Sequence, residues 1–135
     1  MCGIYAHLGN NIEEARHYNA IQKRGPDNTV LQNITPNVFF CFHRLMINDL
    51  SSAGNQPLNH ENVTIICNGE IYNSNQLKEE FDVEYKSNSD CEVLIHVYKK
   101  YGFKKMLNKI DGVFSIVLYD GDLNTVWIGR DPFGV

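Results

Sequence analysis

Two short runs of β-branched and aromatic residues stand out against the polar background of the chain. Val38-Phe39-Phe40-Cys41-Phe42 and Val63-Thr64-Ile65-Ile66-Cys67 are each bounded by polar or Gly/Pro segments, the pattern of buried strands. Gly3 to Leu8 reads as a further short strand, and Val113 to Tyr119 with Thr125 to Gly129 as a hairpin joined across Asp120-Gly121-Asp122. Elsewhere a helical spacing replaces these runs. Residues 12–23 bring Ile12, Ala15, Tyr18 or Asn19, and Ile21 near one face and end at the turn sequence Arg24-Gly25-Pro26-Asp27. Asn73 with Gln76 is a weak capping signature for a helix through Phe81. Ser89 with Glu92 is a capping box ahead of a helix with Val93, Leu94, Val97 and Tyr98 on its apolar side, stopped at Gly102.

Strands interleaved with two or three helices, some strand pairs antiparallel, give an α+β class, a layered sandwich. No repeat, low-complexity tract or linker divides the 135 residues, a length that suits one domain. The final Gly129-Arg130-Asp131-Pro132-Phe133-Gly134-Val135 is turn-like and brings no closing element, so the chain is expected to be the front of something longer.

Composition narrows the partners. The formal charge is −4 with acids and bases interspersed, and no basic stripe suited to a phosphate backbone is present, so nucleic acid is not expected. No apolar run approaches the roughly 20 residues needed to span a bilayer, and the start lacks a signal-peptide pattern. No membrane partner and a cytosolic location are therefore expected. The four cysteines, Cys2, Cys41, Cys67 and Cys91, show neither C-x-x-C pairs nor zinc spacing, so no metal site is expected, and a reducing compartment disfavours disulfides.

Each cysteine is then read singly. Cys2 follows an initiator Met that a small neighbour allows to be removed. Removal would leave a thiol and an α-amine on one residue, and an amine of pKa about 8 can serve as base for the adjacent nucleophile. Taken alone, a cysteine here is more commonly just a small residue opening a strand. Amide hydrolysis would need fixed oxyanion donors, typically a backbone N–H and a side-chain amide. Asn68-Gly69 offers both, and Gly69 adds close backbone approach or positive φ, although a plain Asn-Gly turn is the commoner meaning. A free amino-acid substrate would call for a cation, which Arg44 supplies, and an anion, which Asp90 supplies. Their plain alternatives are a surface arginine and a first-turn acid favourable to the helix dipole. Both polar clusters, His43-Arg44 and Asn68-Gly69-Glu70, are expected just after their strands. His43 reads as structural rather than as half of a Cys/His dyad, and Cys67 and Cys91 as inward-packed small groups.

The ordered set of segments resembles the class II glutamine amidotransferases. It comprises Met1-Cys2-Gly3-Ile4, Arg24-Gly25-Pro26-Asp27, His43-Arg44-Leu45, Gln56-Pro57-Leu58, Asn68-Gly69-Glu70-Ile71-Tyr72-Asn73, Ser89-Asp90-Cys91-Glu92-Val93 and Gly129-Arg130-Asp131-Pro132-Phe133-Gly134. Within that family the details are nearest to the glutamine-hydrolysing asparagine synthetases, and the resemblance covers residues 1–135. Ser87-Asn88 departs from the more usual Thr-Gly.

The resemblance implies a four-layer αββα N-terminal nucleophile hydrolase sandwich of mostly antiparallel sheets, expected to be incomplete at its C-terminal end. It implies that Cys2 is the nucleophile and that Asn68 and Gly69 form the oxyanion hole. Arg44 would hold the glutamine carboxylate, Asp90 with Gly69 and Glu70 the amino end, and Leu45, Met46, Ile47 and Asn48 would line the pocket. Glutamine would become glutamate and ammonia, the latter feeding asparagine synthesis from aspartate. ATP and magnesium would belong to a C-terminal ATP-pyrophosphatase domain, in cis or in trans, with no cofactor in these residues, and a homodimer is compatible with the resemblance. Two alternatives stay open: a non-catalytic glutamine-binding or regulatory module, and a glutaminase domain serving another acceptor, such as a phosphosugar.

Overall fold

The computed structural model describes residues 1–10, 16–47 and 49–134. Two antiparallel sheets organise them. In the first, β3 (Val38–Arg44) lies between β1 (Gly3–Leu8) and β2 (Asn28–Thr35). In the second the order is β4 (Leu58–His60), β5 (Val63–Ile71), β6 (Gly112–Asp120) and β7 (Thr125–Arg130). The helices are α1 (Ser74–Lys78), α2 (Val93–Tyr101) and α3 (Phe103–Lys109), with a 3-10 helix at Arg16–Arg24 and a short 3-10 turn at Ser52–Gly54. None is long and apolar enough to cross a membrane.

The aromatic run at 38–42 explains the layering. Every residue of β3 is buried, and strand alternation divides them between two faces. Val38, Phe40 and Phe42 pack with Ile66 and Val117 between the sheets, where Cys2 and Ile4 border the same cluster. Phe39 and Cys41 face the other way, against Tyr5 and, from the 3-10 helix, Tyr18. On the far side of the second sheet, Ile65, Cys67, Phe114, Ile116 and Leu118 pack with Leu77, Val93, Leu94, Val97 and Met106 of the α-helices. Each such side chain taken fully from water contributes about 1.5–3 kcal/mol. The layers run 3-10 helix, sheet, sheet, α-helices, in agreement with the α+β sandwich expected from the sequence.

Several local expectations are corrected. Residues 11–15 of the expected 12–23 helix lie outside the described residues, and Arg16–Arg24 is 3-10 rather than α. β2 was not foreseen, since Asn28, Gln32 and Asn33 dilute its β signal. β5 runs through Ile71 rather than stopping at Cys67, and β3 includes His43 and Arg44, so both polar clusters lie inside strand ends.

The Ser89/Glu92 capping box does not form. The Glu92 carboxylate turns back to accept the N–H groups of Lys86 at 2.8 Å and Ser87 at 2.9 Å and the Ser87 hydroxyl at 2.6 Å. These three donors outweigh the single N–H of Ser89, which meets Ser87 Oγ at 3.2 Å. Asn73 is likewise diverted: its amide donates to the Lys109 carbonyl at 2.8 Å and accepts from Asp111 N–H at 3.0 Å. α1 therefore starts without a side-chain cap and ends at Lys78, short of Phe81. Gly102 stops α2 as expected, and with φ 78° it also turns the chain directly into α3. The hairpin β6–β7 turns at residues 121–124, one position later than expected.

His96 on α2 carries a pH-dependent load. Its ring lies 4.8 Å from that of His60 and also meets Phe81 and Tyr85. Burial first and His60 second hold its pKa below the ordinary value, against a smaller opposing pull from Glu92. The unfolded chain thus takes up this proton at a higher pH than the folded one, so stability falls as pH drops below about 6.5. Thermal unfolding between pH 7 and 5 should show this decline, and His96→Phe should flatten it. An unchanged slope in the variant would assign the decline to other groups.

Candidate active site

The β1–β3 register places Gly3 opposite His43, which brings the preceding Cys2 beside the end of β3. Its Sγ accepts the Leu45 N–H at 3.3 Å and lies 3.6 Å from the Leu45 carbonyl. Arg24 Nε donates to the Cys2 carbonyl at 3.1 Å. Met1 is 45% exposed, so the bond that its removal must break is at the surface. The Arg24-Gly25-Pro26-Asp27 turn is pressed against the same strand end. A side chain at Gly25 would collide with the His43 carbonyl and stand 2.6 Å from Arg44 N, while Asp27 Oδ2 accepts the Met46 N–H at 2.8 Å.

Cys2 borders a cavity of about 190 Å³, smaller than the roughly 300–1,000 Å³ of pockets for drug-sized ligands and suited to an amino acid. Of the residues expected at the site, Cys2, Arg44, Leu45, Ile47, Gly69, Glu70 and Asp90 line it. Met46 and Asn68 are not among the lining residues, and Asn48 lies outside the described residues.

Asn68 and Gly69 pair with Ser115 and Phe114 of β6. Asn68 shares the face of Ile66, which packs in the cluster bordered by Cys2. Its Oδ1 is buried with no hydrogen-bond partner among the described residues, although such an atom normally finds one. Gly69 has an ordinary negative φ, contrary to the turn reading. Its lack of a side chain is required because a Cβ would run into the Val113 carbonyl and lie 2.6 Å from Phe114 Cα.

Arg44 is 4% exposed and is held rather than free. Nη1 donates to the Ser51 carbonyl at 2.6 Å and to Asn55 Oδ1 at 2.8 Å, and Nη2 donates to the Asp49 carbonyl. These bonds use part of the five-donor fork. Asp90 is not in the first turn of α2, which begins at Val93. Its Oδ2 accepts the Ile71 N–H at 2.6 Å, which fixes it against the end of β5 beside Gly69 and Glu70.

Two wall residues escaped the sequence reading. Gln56 lies just before β4 and extends its pairing with β5: its Nε2 donates to the Cys67 carbonyl at 3.0 Å and its Oε1 accepts the Cys67 N–H at 2.6 Å. Asp49 accepts the Ser51 N–H at 2.7 Å and the Asn88 N–H at 2.9 Å. Its carboxyl is held below the usual range, chiefly by the Ser51 bonds. Neither has a sequence signal beyond its place in a polar loop, although Gln56 opens a motif that carries the family resemblance.

The other nucleophilic candidates are set aside by their surroundings. His43 is fully buried on the face of β3 opposite Arg44, with Nε2 donating to the Tyr18 carbonyl at 2.8 Å and Nδ1 accepting from Thr29 Oγ1 at 2.8 Å. Both ring nitrogens are spent away from Cys2. Burial pushes the Cys41 thiol up to about 11, and contact with Cys67 together with burial raises Cys91 well above its ordinary value.

A family model described as a glutamine amidotransferase domain matches residues 1–135. The chain belongs to that family. This amidotransferase domain is 36% identical over 143 residues to the glutamine-hydrolysing asparagine synthetase of Rattus norvegicus and 35% identical over 143 residues to that of Homo sapiens. It is 37% identical over 145 residues to a probable asparagine synthetase of Acanthamoeba polyphaga mimivirus. Each match takes in the whole of this chain, which spans about a quarter of the length of these relatives.

Proposed function

We propose that the domain hydrolyses glutamine to glutamate and ammonia with Cys2 as nucleophile once Met1 has been removed. The observation that carries this reading is the position of Cys2 on a small cavity whose wall also holds a fixed cation, Arg44, and a fixed acid, Asp90. These are the charges that an α-carboxylate and an α-ammonium require. The amide end of the ligand would then face the thiol.

In the proposed reaction the α-amine of Cys2 takes the thiol proton and Sγ attacks the side-chain carbonyl carbon. The oxyanion is stabilised by a backbone N–H of the Asn68-Gly69 segment and the Asn68 amide. A donor such as the freed α-amine would satisfy the orphaned Asn68 Oδ1. Collapse of the tetrahedral species expels ammonia, which leaves with the proton held by the amine, and a thioester remains on Cys2. Water, deprotonated by the same amine, hydrolyses it to glutamate and restores the thiol. The Leu45 N–H bond keeps the sulfur oriented towards the cavity throughout.

We further propose that the ammonia serves ATP-dependent asparagine synthesis from aspartate, in a part of the protein corresponding to the relatives' remaining length. ATP and magnesium would be held in that same remaining part of the protein. We propose a cytosolic setting, in which the four free cysteines would stay reduced.

Full-length protein whose mass shows loss of Met1 is expected to release glutamate from glutamine, and saturating glutamine is expected to protect Cys2 from iodoacetamide at least about tenfold. Met-processed protein that is neither active nor protected would overturn the proposal.

A further inference from the structure

Asp49 is 7% exposed and makes three ties around the cavity. One carboxylate oxygen takes the Ser51 N–H and the other takes the Asn88 N–H, 39 residues away. Its carbonyl oxygen receives Arg44 Nη2, and the Ser51 that it holds gives its own carbonyl to Arg44 Nη1. Asn88 stands two residues before Asp90, whose carboxylate is in turn fixed on Ile71 N–H. The cation and the acid of the cavity come from distant stretches of chain, and Asp49 ties them together: its carbonyl receives Arg44 and its carboxylate holds Asn88, two residues before Asp90.

We propose that Asp49 is the positioning residue that sets the separation between Arg44 and Asp90, and so makes the cavity selective for ligands carrying both an α-carboxylate and an α-ammonium. This rests on the glutamine reading given above. Asp49 touches neither the reacting amide nor Cys2 in that scheme. Its loss would therefore weaken recognition of the amino-acid end while the thiol keeps its reactivity. Its depressed pKa keeps both carboxylate oxygens available as acceptors through the neutral range.

The test uses full-length, Met-processed protein with Asp49→Ala and Asp49→Asn. Kinetics on glutamine are combined with alkylation of Cys2 by two reagents, iodoacetamide and a diazoketone analogue of glutamine that retains both α-groups. For Asp49→Ala, KM is expected to rise about tenfold or more with kcat within about twofold, the scale of losing hydrogen bonds to a charged group. Asp49→Asn keeps one acceptor and should lie between. Iodoacetamide should label all three proteins at one rate, while labelling by the analogue slows in step with KM. An unchanged KM, or equal slowing with both reagents, would overturn the positioning role. If Asp49→Ala does not fold, Asp49→Asn carries the same comparison. Failure of glutamine to protect the unsubstituted protein from iodoacetamide would instead overturn the glutamine reading, and this proposal with it.

Discussion

Cys2→Ala in the full-length, Met-processed protein is expected to lower kcat for glutamine hydrolysis by at least about a thousandfold, because the thioester of the proposed scheme forms on its Sγ. His43 cannot substitute, since both of its ring nitrogens are engaged on the opposite face of β3. The buried Cys41 and Cys91 thiols are both shifted towards the unreactive neutral form. The loss should be chemical rather than structural. Cys2 is only half-buried and borders the inter-sheet cluster, so truncation to alanine should leave the melting temperature nearly unchanged. Glutamate release by coupled assay, with Tm measured on the same samples, checks both parts. Retained turnover would remove Cys2 from the mechanism.

Gly69→Ala has the second large effect, this time on stability as well as activity. The added methyl would meet the Val113 carbonyl and Phe114 Cα, both backbone atoms of the paired strand β6. Backbone cannot swing aside as a flexible side chain can, so β5 and β6 must separate at the centre of the second sheet. Overpacking of this kind costs about 3 kcal/mol, a fall in Tm on the order of 10 °C. Asn68 moves with the strand, so the protein that remains folded should also lose turnover. Thermal unfolding of Gly69→Ala beside Cys2→Ala separates the two cases, since the second should lose activity alone. A Gly69→Ala protein of normal Tm would show that the β5–β6 spacing relaxes more readily than the close contact implies.

What could be read from the sequence was whatever depends on local pattern. The apolar runs at 38–42 and 63–67 mark the central strands, and Gly102 ends a helix where a helix needs ending. The residues grouped by family motif, from Cys2 to Asp90, largely converge on one cavity. Where side chains choose between partners, pattern alone misled. Glu92 and Asn73 each had a capping role open to them and took stronger partners from other segments, invisible to a window of a few residues. β2 was missed because an edge strand half-open to solvent tolerates Asn and Gln, which mimic a loop. The way Arg44 is held, by Ser51, Asn55 and Asp49, also depends on a loop closing over the strand end, as does the role of Asp49 itself. Of the two reasons that single out Gly69, close backbone approach holds, between two paired strands, and the turn with positive φ does not.

The tie between Asp49 and Asn88 bears on how the domain can diverge. Two loops separated by 39 residues share one carboxylate, so their lengths are expected to change together. An insertion at 50–55 that displaces Asp49 also releases residues 86–90, and the reverse holds for an insertion in the later loop. Viable length changes near the cavity should therefore arise in pairs, one in each loop, while the strands beneath them stay in register.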